Sequence, residues 1–133
     1  MTVFESRESL ERVLTRLAEL VQTDPAFLKA SQDKTLTVSM EFPDLETFFY
    51  TNFHDGQVEA GLGELAENAT VELVVDSDIF DRIFSGQLNP AKAAMKGDLA
   101  FSGNVAAAMR FQGVLSDFIR LYQQAKQQSG EAA

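Results

Sequence analysis

The chain has 133 residues, and 45% of them are hydrophobic. This length is enough to bury one hydrophobic core and too short for two, so we expect residues 1–133 to form a single domain. Its formal net charge is −9, and the basic residues are spread along the chain rather than grouped in a block. This charge distribution disfavours a nucleic-acid partner and lasting adhesion to an anionic membrane. Transient contact with a membrane stays open. The lack of cysteine excludes disulfide and thiolate chemistry.

The amino-terminal part predicts two helices and no export signal. Acidic Glu5 and Glu8 stand where a secretory signal carries positive charge, so together with the lack of cysteine they favour the cytoplasm. Apolar residues recur at helical spacing over residues 6–22 and predict the first helix. Asp24 and Pro25 then supply the cap and the first residue of a second, short helix.

Alternating apolar and polar residues next predict an antiparallel meander of three strands. Every second residue from Leu36 to Phe42 is apolar, as in a strand with one buried face. A second strand follows over residues 45–53, where consecutive aromatic residues leave the buried face undecided. Asp55 and Gly56 predict a tight hairpin into the third strand, because both residues tolerate a positive φ.

The middle of the chain predicts a crossover, a strand and a helix. We expect the polar residues 63–68 to cross over the sheet, and the β-branched residues 70–75 to form a fourth strand that is more buried than the first. Asp76 and Asp78 suit the first turn of a helix, where acidic groups interact favourably with the macrodipole. That helix should end at Gly86.

Residues 85–112, SGQLNPAKAAMKGDLAFSGNVAAAMRFQ, are the most informative segment. Pro90 suits the first position of a helix that Gly97 ends. The alternation over residues 99–101 predicts a short fifth strand, and Asn104 can cap the helix that follows.

The last third of the chain completes the predicted architecture. Gly113 should divide the remaining sequence into two closing helices. We therefore expect an α/β (α+β) fold with a mostly antiparallel sheet covered by helices, in the order α-α-β-β-β-(crossover)-β-α-α-β-α-α.

Few residues suit the making or breaking of bonds. His54 is the only histidine, and it stands beside Asp55, which as an adjacent strand residue should point to the opposite face. Asp76, Asp78 and Asp81 lack the glycine and terminal glutamate of an EF-hand loop, and helix capping explains them better. We therefore expect no enzyme activity, no catalytic residue, no metal and no cofactor.

The segment over residues 85–112 resembles the signature of the sterol carrier protein 2 (SCP2-like) lipid-binding domain. It shares the Ser-Gly helix end, the Leu-Asn-Pro helix start, the Ala/Met helix, and the strand and Ala/Met helix after it. It departs from the usual signature at Asp98, where a basic residue is common, and at Ala94, where an aromatic is common. The resemblance implies a five-stranded sheet with a lipid tunnel between the sheet and the helices.

The apolar residues of this region fit either a tightly packed core or the lining of such a pocket, and the resemblance favours the pocket. One face of the helix after Asn104 carries Val105, Ala108, Met109 and Gln112. Gln112 matches a glutamine common in the family signature and is our candidate contact for a lipid head group. The predicted lining consists of Phe80, Ile83, Phe84, Met95, Leu99, Phe101, Val105, Met109 and Gln112.

The expected function is non-enzymatic, intracellular binding and transfer of a hydrophobic lipid, such as a fatty acid, an acyl chain, an isoprenoid or a sterol-like molecule. The alternative is an accessory or scaffold protein of the same fold, which presents lipophilic intermediates to a partner enzyme or assembles with it.

Overall fold

The computed structural model describes residue 4 and residues 6–64 and 69–130, apart from the side chain of Ala108. The α-helices in this part of the chain are α1 (Arg7–Thr23), α2 (Pro25–Ala30), α3 (Ser77–Phe84), α4 (Pro90–Met95), α5 (Val105–Gln112) and α6 (Leu115–Gln128). The strands are β1 (Leu36–Phe42), β2 (Thr47–His54), β3 (Gln57–Leu62), β4 (Val71–Val75) and β5 (Leu99–Gly103), and a 3₁₀ helix, Pro43–Leu45, joins β1 to β2. The element order is the predicted one.

The strands form one sheet in the order β3-β2-β1-β4-β5. β1, β2 and β3 pair as the predicted antiparallel meander, β4 pairs parallel to β1, and β5 pairs antiparallel to β4. The five-stranded, mostly antiparallel sheet is therefore confirmed. The parallel pairing requires a crossover between β3 and β4, and of the residues that we assigned to it, 65–68 lie outside the described residues.

Helices cover one face of this sheet, with α1 over one half and α3 and α5 over the other half. α1 packs across β2 and β3 and against α6, with an apolar stripe that is buried along its length. α3 and α5 lie over the other half of the sheet, next to β1, β4 and β5, where a cavity remains. Among the described helices, none is long and apolar enough to cross a membrane.

Side chains cap the helix starts in most places, including the predicted caps Asp24 and Asn104. Ser6, Asp24, Asn89 and Asn104 each accept a hydrogen bond from a backbone N–H in the first turn of the helix that follows. α3 is an exception, because the side chain of Asp76 makes no capping hydrogen bond. Instead the carboxylate of Asp44, from the 3₁₀ helix, accepts from the backbone N–H and the hydroxyl of Ser77 over 2.9 and 2.6 Å.

Two turns depend on residues with positive φ. Asp55 and Gly56 have φ values of 50° and 76°, which confirms the hairpin predicted between β2 and β3. At the end of β5, Gly103 has φ +113°, and a Cβ atom there would lie 2.3 Å from the carbonyl oxygen of Thr70. A side chain at this position is excluded both by the backbone and by the neighbouring strand.

The burial of the strands settles one open question and overturns one prediction. On β2, the residues Thr47, Phe49, Thr51 and Phe53 are buried, which is the face that the sequence left undecided. β4 was expected to be more buried than β1, and this is wrong: only Val71 and Val75 of β4 are buried, while β1 buries every second residue. The reason is that the outer face of β4 is open to solvent and the cavity lies over its inner face.

Candidate functional site

The candidate site is an apolar cavity of about 190 Å³ between the β1-β4-β5 half of the sheet and the helices. Its lining comes from three strands and four helices that are distant in the sequence. The described residues that line it are Met40, Val71, Leu73, Val75, Phe80, Ile83, Phe84, Pro90, Leu99, Phe101, Phe111, Gln112 and Leu115.

The floor of the cavity is a set of side chains from neighbouring strands. Met40 of β1 is in register with Leu73 of β4, and Leu73 is in register with Phe101 of β5. Because side chains alternate between the faces of a sheet, this row points to the same side. Val75 and Leu99 form a second pair in register beside it.

The roof of the cavity includes the buried face of α3. Phe80 and Phe84 lie one turn apart, with ring centroids 4.4 Å from each other. Phe80 also meets Phe42 of β1 edge to face at 4.9 Å, and Phe84 meets Phe118 of α6 at 5.3 Å. These contacts hold the aromatic roof in one arrangement between the sheet and α6.

Behind this roof, α3 is joined to α6 by a buried polar network. Asp81, on the side of α3 that contacts α6, accepts hydrogen bonds from Tyr122 and Lys126 over 2.7 and 2.8 Å. Burial, reinforced by the Asp81 carboxylate, raises the pKa of Tyr122, so the phenol stays protonated and donates. Neither Tyr122 nor Asp81 lines the cavity, so the network positions α3 without adding polarity to the site.

The cavity opens to solvent beside β5. Phe101 lines the cavity and is nevertheless 42% exposed. Pro90 and Gln112 also belong to the cavity wall and are also exposed to solvent. These residues mark a mouth between α4, β5 and the end of α5. Gln112 carries the one polar side chain in the described wall, and its amide makes no hydrogen bond to another described residue, so the amide is free to meet a polar group at the opening.

The structure brings together six of the predicted lining residues. These are Phe80, Ile83, Phe84, Leu99, Phe101 and Gln112, which all lie in the cavity wall. Whether they contact a lipid stays a prediction. Met95, Val105 and Met109 were expected in the same wall, and the structure places them outside it, with exposed fractions of 88%, 65% and 66%.

The three misplaced residues lie on the exposed sides of two helices, α4 and α5. α5 turns Ala107 and Phe111 inward, on the side opposite the Val105–Met109 face that we expected to be buried. The small Ala107 lets the helix approach the sheet, and Phe111 fills the space next to it. Met95 is the last residue of α4, a helix of which the sole buried member is Ala93.

Sequence reasoning missed the contribution of β1 and β4 to the wall. Val71, Leu73 and Val75 recur with a period of two, which would have placed them on one face of β4. What the sequence lacks is the register of β4 against β1 and β5, so the residues that β1 and β4 contribute to the floor of the cavity were not identifiable. Phe111 was missed because the inward face of α5 was assigned to the wrong residues, and Leu115 because it belongs to the first turn of α6.

A larger depression lies elsewhere, next to α1 and the end of α6. It has a volume of about 580 Å³, and its described wall is mostly charged or polar, with Glu8, Glu11, Arg12, Arg16 and Glu19 among its residues. The depression is wide open to solvent, so a hydrocarbon chain lying there would stay in contact with water and with charged side chains. The smaller, apolar cavity is therefore the better candidate for a lipid site.

Comparison with known proteins identifies the family. The sequence model of the SCP-2 sterol transfer family matches residues 13–116, which include every element from most of α1 to the start of α6. The chain belongs to this family. Membership supports lipid binding or transfer as the general function of this SCP-2 domain, and the resemblance inferred from residues 85–112 is confirmed.

Solved structures of the SCP-2 type share the fold of this chain. The crystal structure of sterol carrier protein 2 covers 85% of this chain and 95% of its own, with a TM-score of 0.65 at 16% identity. The solution structure of a conserved hypothetical protein from Thermus thermophilus, described as possibly a sterol carrier protein, covers 86% and 87%, with a TM-score of 0.66 at 16% identity. The structure of UbiJ-SCP2, a ubiquinone synthesis protein, covers 90% of each chain, with a TM-score of 0.54 at 18% identity.

Curated relatives carry a similar segment within much longer chains. Hydroxysteroid dehydrogenase-like protein 2 from Bos taurus is 36% identical over 56 residues, which are 42% of this chain. The matched segment spans 13% of that protein, and the same holds for the Homo sapiens protein. The segment that is similar to this chain is thus a small part of those proteins.

Outside the cavity, the described residues of this SCP-2 domain offer little for catalysis. His54 Nε2 lies 3.1 Å from Asp55 Oδ2, so our expectation that the two side chains point apart is wrong: Asp55 belongs to the turn and not to the strand. Both side chains are more than two-thirds exposed and lie at the hairpin tip, away from the cavity. No group of three or more His, Asp or Glu side chains among the described residues is arranged to hold a metal ion.

Proposed function

We propose that this SCP-2 domain binds a hydrophobic lipid with one flexible hydrocarbon chain in the cavity, and transfers it without catalysing a reaction. The observation that carries the proposal is the composition of the wall. Twelve of its thirteen described residues are apolar, and the remaining one, Gln112, lies at the mouth. This arrangement suits a molecule with an apolar tail and a single polar end.

The volume favours a flexible chain over a rigid ring system. At about 190 Å³, the cavity is smaller than the roughly 300–1,000 Å³ of typical ligand pockets. A fatty acid, acyl chain or isoprenoid can enter end first and widen the space between α5 and β5 as it goes. A sterol-like molecule would need the whole width at once, so we place it last among the candidate ligands.

Affinity should then grow with chain length in regular steps. Each methylene removed from water stabilises by about 0.8 kcal/mol, which corresponds to roughly fourfold in affinity. We expect fatty acids of increasing length to gain about this factor per methylene until the cavity is filled, and then to gain little. The increments measure hydrophobic burial directly, because the carboxylate is the same throughout.

Displacement of a fluorescent fatty acid tests the site. Leu73→Trp places a large ring in the floor of the cavity and should reduce binding about tenfold or more. Val74→Trp is the matched control, since Val74 is the next residue of β4 and is exposed on the opposite face. Leu99→Trp is a second filling variant, in case Leu73→Trp does not fold. Equal binding by both filling variants and the control, or no displacement with the unmodified protein, would contradict the proposal.

An accessory role is the second candidate. It is supported by the likeness to UbiJ-SCP2, a ubiquinone synthesis protein, and by the dehydrogenase-like relatives, in which the matched segment is part of a longer chain. In that case the domain would present a lipophilic intermediate to a partner enzyme. Size-exclusion chromatography and pull-down from cells separate the two candidates, because this one requires a stable protein partner.

A further inference from the structure

The outer side of α4 and α5 is unusually apolar for a protein surface. Among the described residues, three of the large apolar side chains that are more than a third exposed lie on these two helices: Met95, Val105 and Met109. Val105 and Met109 lie one turn apart, on the face of α5 that points away from the core. Isolated apolar residues on a surface need no explanation, but a group confined to adjacent elements indicates a contact surface.

Basic side chains accompany these apolar ones. Lys92 and Lys96 lie on α4 and at its end, Arg110 lies on α5, and all three are exposed. No ion pair joins them to another residue in the part of the chain that the structure describes. We call Met95, Val105 and Met109, with these three basic residues, the α4–α5 surface.

The charge of this region is opposite to that of the whole chain. Residues 82–113 contain four basic side chains and one acidic one, Asp98, so they carry a formal charge of +3 in a chain that carries −9. A second copy of the chain that docked symmetrically here would bring the same positive charges face to face. An anionic surface is the complementary partner.

The α4–α5 surface also borders the mouth of the cavity. Pro90 begins α4 and Gln112 ends α5, and both line the opening together with Phe101. A lipid that left a bilayer at this place could enter the cavity without crossing water. Exposed apolar side chains flanked by lysine and arginine are the combination that holds proteins at the boundary between head groups and acyl chains.

We propose that the α4–α5 surface docks on lipid bilayers that contain anionic head groups, with Met95, Val105 and Met109 entering the interface and Lys92, Lys96 and Arg110 contacting the head groups. This rests on the proposed lipid-binding function and names the source of the lipid. The contact is transient, because the acidic remainder of the chain is repelled by the same membrane. The docking therefore agrees with a net charge that disfavours lasting adhesion.

Sedimentation with vesicles tests the proposal on the whole chain. We expect binding to phosphatidylcholine vesicles that contain about one-third phosphatidylserine, much weaker binding to phosphatidylcholine alone, and release by salt. Met109→Glu should lower the bound fraction about tenfold, and Lys96→Glu should lower it and weaken its dependence on salt. Leu62→Glu on β3 and Lys29→Glu on α2 are the matched controls: both residues are exposed and outside the surface, and neither change should have this effect.

The outcomes distinguish this proposal from the proposed function. Leu73→Trp should lose fatty-acid binding and keep vesicle binding, whereas Met109→Glu should keep the uptake of fatty acid from solution and lose rapid uptake from vesicles. Absent vesicle binding by the unmodified protein, or equal losses in the control variants, would overturn the docking proposal. So would a dimer in solution that Met109→Glu dissociates, because a second copy would then cover the surface. Absent fatty-acid binding together with normal vesicle docking would instead overturn the proposed function.

Discussion

The phenolic oxygen of Tyr122 lies 2.7 Å from Oδ1 of Asp81, and the two residues join α6 to α3 in the buried interior. The same carboxylate oxygen accepts from Lys126 Nζ, so one acid on α3 is held by two donors on α6. α3 carries three residues of the cavity wall. The position of the aromatic roof therefore depends on a polar contact that is outside the cavity.

Tyr122→Phe should destabilise the protein without filling or emptying the cavity. A hydrogen bond to a charged group contributes about 1.5–3 kcal/mol, and its loss leaves Asp81 with one donor fewer in a buried site. Urea unfolding measures the change. Tyr50→Phe is the control, since the Tyr50 hydroxyl makes no hydrogen bond to a described residue, and it should cost less than about 0.5 kcal/mol. Equal effects of the two substitutions would show that the bond contributes nothing to stability.

The element order was predictable from sequence because local signals at the helix ends agree with the fold. Pro90 starts α4 as expected, and Gly97 and Asn104 frame β5. These residues act through their own backbone and its nearest neighbours, so no knowledge of distant contacts is needed.

The cavity wall was predictable only in part because it depends on distant contacts. The run of alanines over residues 106–108 gives α5 no strong apolar face, so the sequence could not show that Phe111 turns inward and Met109 outward. The floor depends on the register of Leu73 with its neighbours, which alternation within one strand does not determine. The cap of α3 comes from Asp44, 33 positions before Ser77 in the chain.

Asp44→Ala should weaken the start of α3 more than Asp76→Ala does. Asp44 accepts both the backbone N–H and the hydroxyl of Ser77, whereas Asp76 stands at the cap position without a capping hydrogen bond. Loss of a helix cap costs about 1 kcal/mol. We expect about this loss for Asp44→Ala, and less than half of it for Asp76→Ala, in thermal or urea unfolding. A larger loss for Asp76→Ala would show that the local acid is the true cap.

Gly103→Ala should be among the most damaging single changes at a glycine of this chain. The added Cβ would lie 2.3 Å from the carbonyl oxygen of Thr70, so β4 and β5 must separate or the end of β5 must change its path. Gly63→Ala is the control: Gly63 has φ +117°, close to the +113° of Gly103, and no described atom lies within 4 Å of its added Cβ. Both variants carry the backbone strain, about 1–2 kcal/mol, and Gly103→Ala alone adds the clash. Unfolding free energies that agree within error would refute the close approach of the two strands.

The ion pair between Asp24 and Arg120 should make stability depend on pH in the acidic range. The Arg120 guanidinium donates to Asp24 over 2.8 Å and, as the largest cause, holds the pKa of that carboxyl below its ordinary value of 3.8. Because the folded pKa is lower than the unfolded one, the contribution of the pair is complete above pH 3.8 and is lost as the pH falls through the folded pKa. Arg120 is 45% exposed, so screening limits the contribution to about 1 kcal/mol or less.

Arg120→Met tests this dependence. The difference in unfolding free energy from the unmodified protein should be constant from neutral pH down to about pH 5, and should shrink toward zero below the folded pKa of Asp24. Arg7→Met is the matched control, because Arg7 and Glu11 form a more exposed pair at 3.6 Å and its loss should change stability little. A difference for Arg120→Met that stayed the same down to the lowest pH at which the protein folds would show that Arg120 stabilises through the packing of its side chain and not through the Asp24 carboxylate.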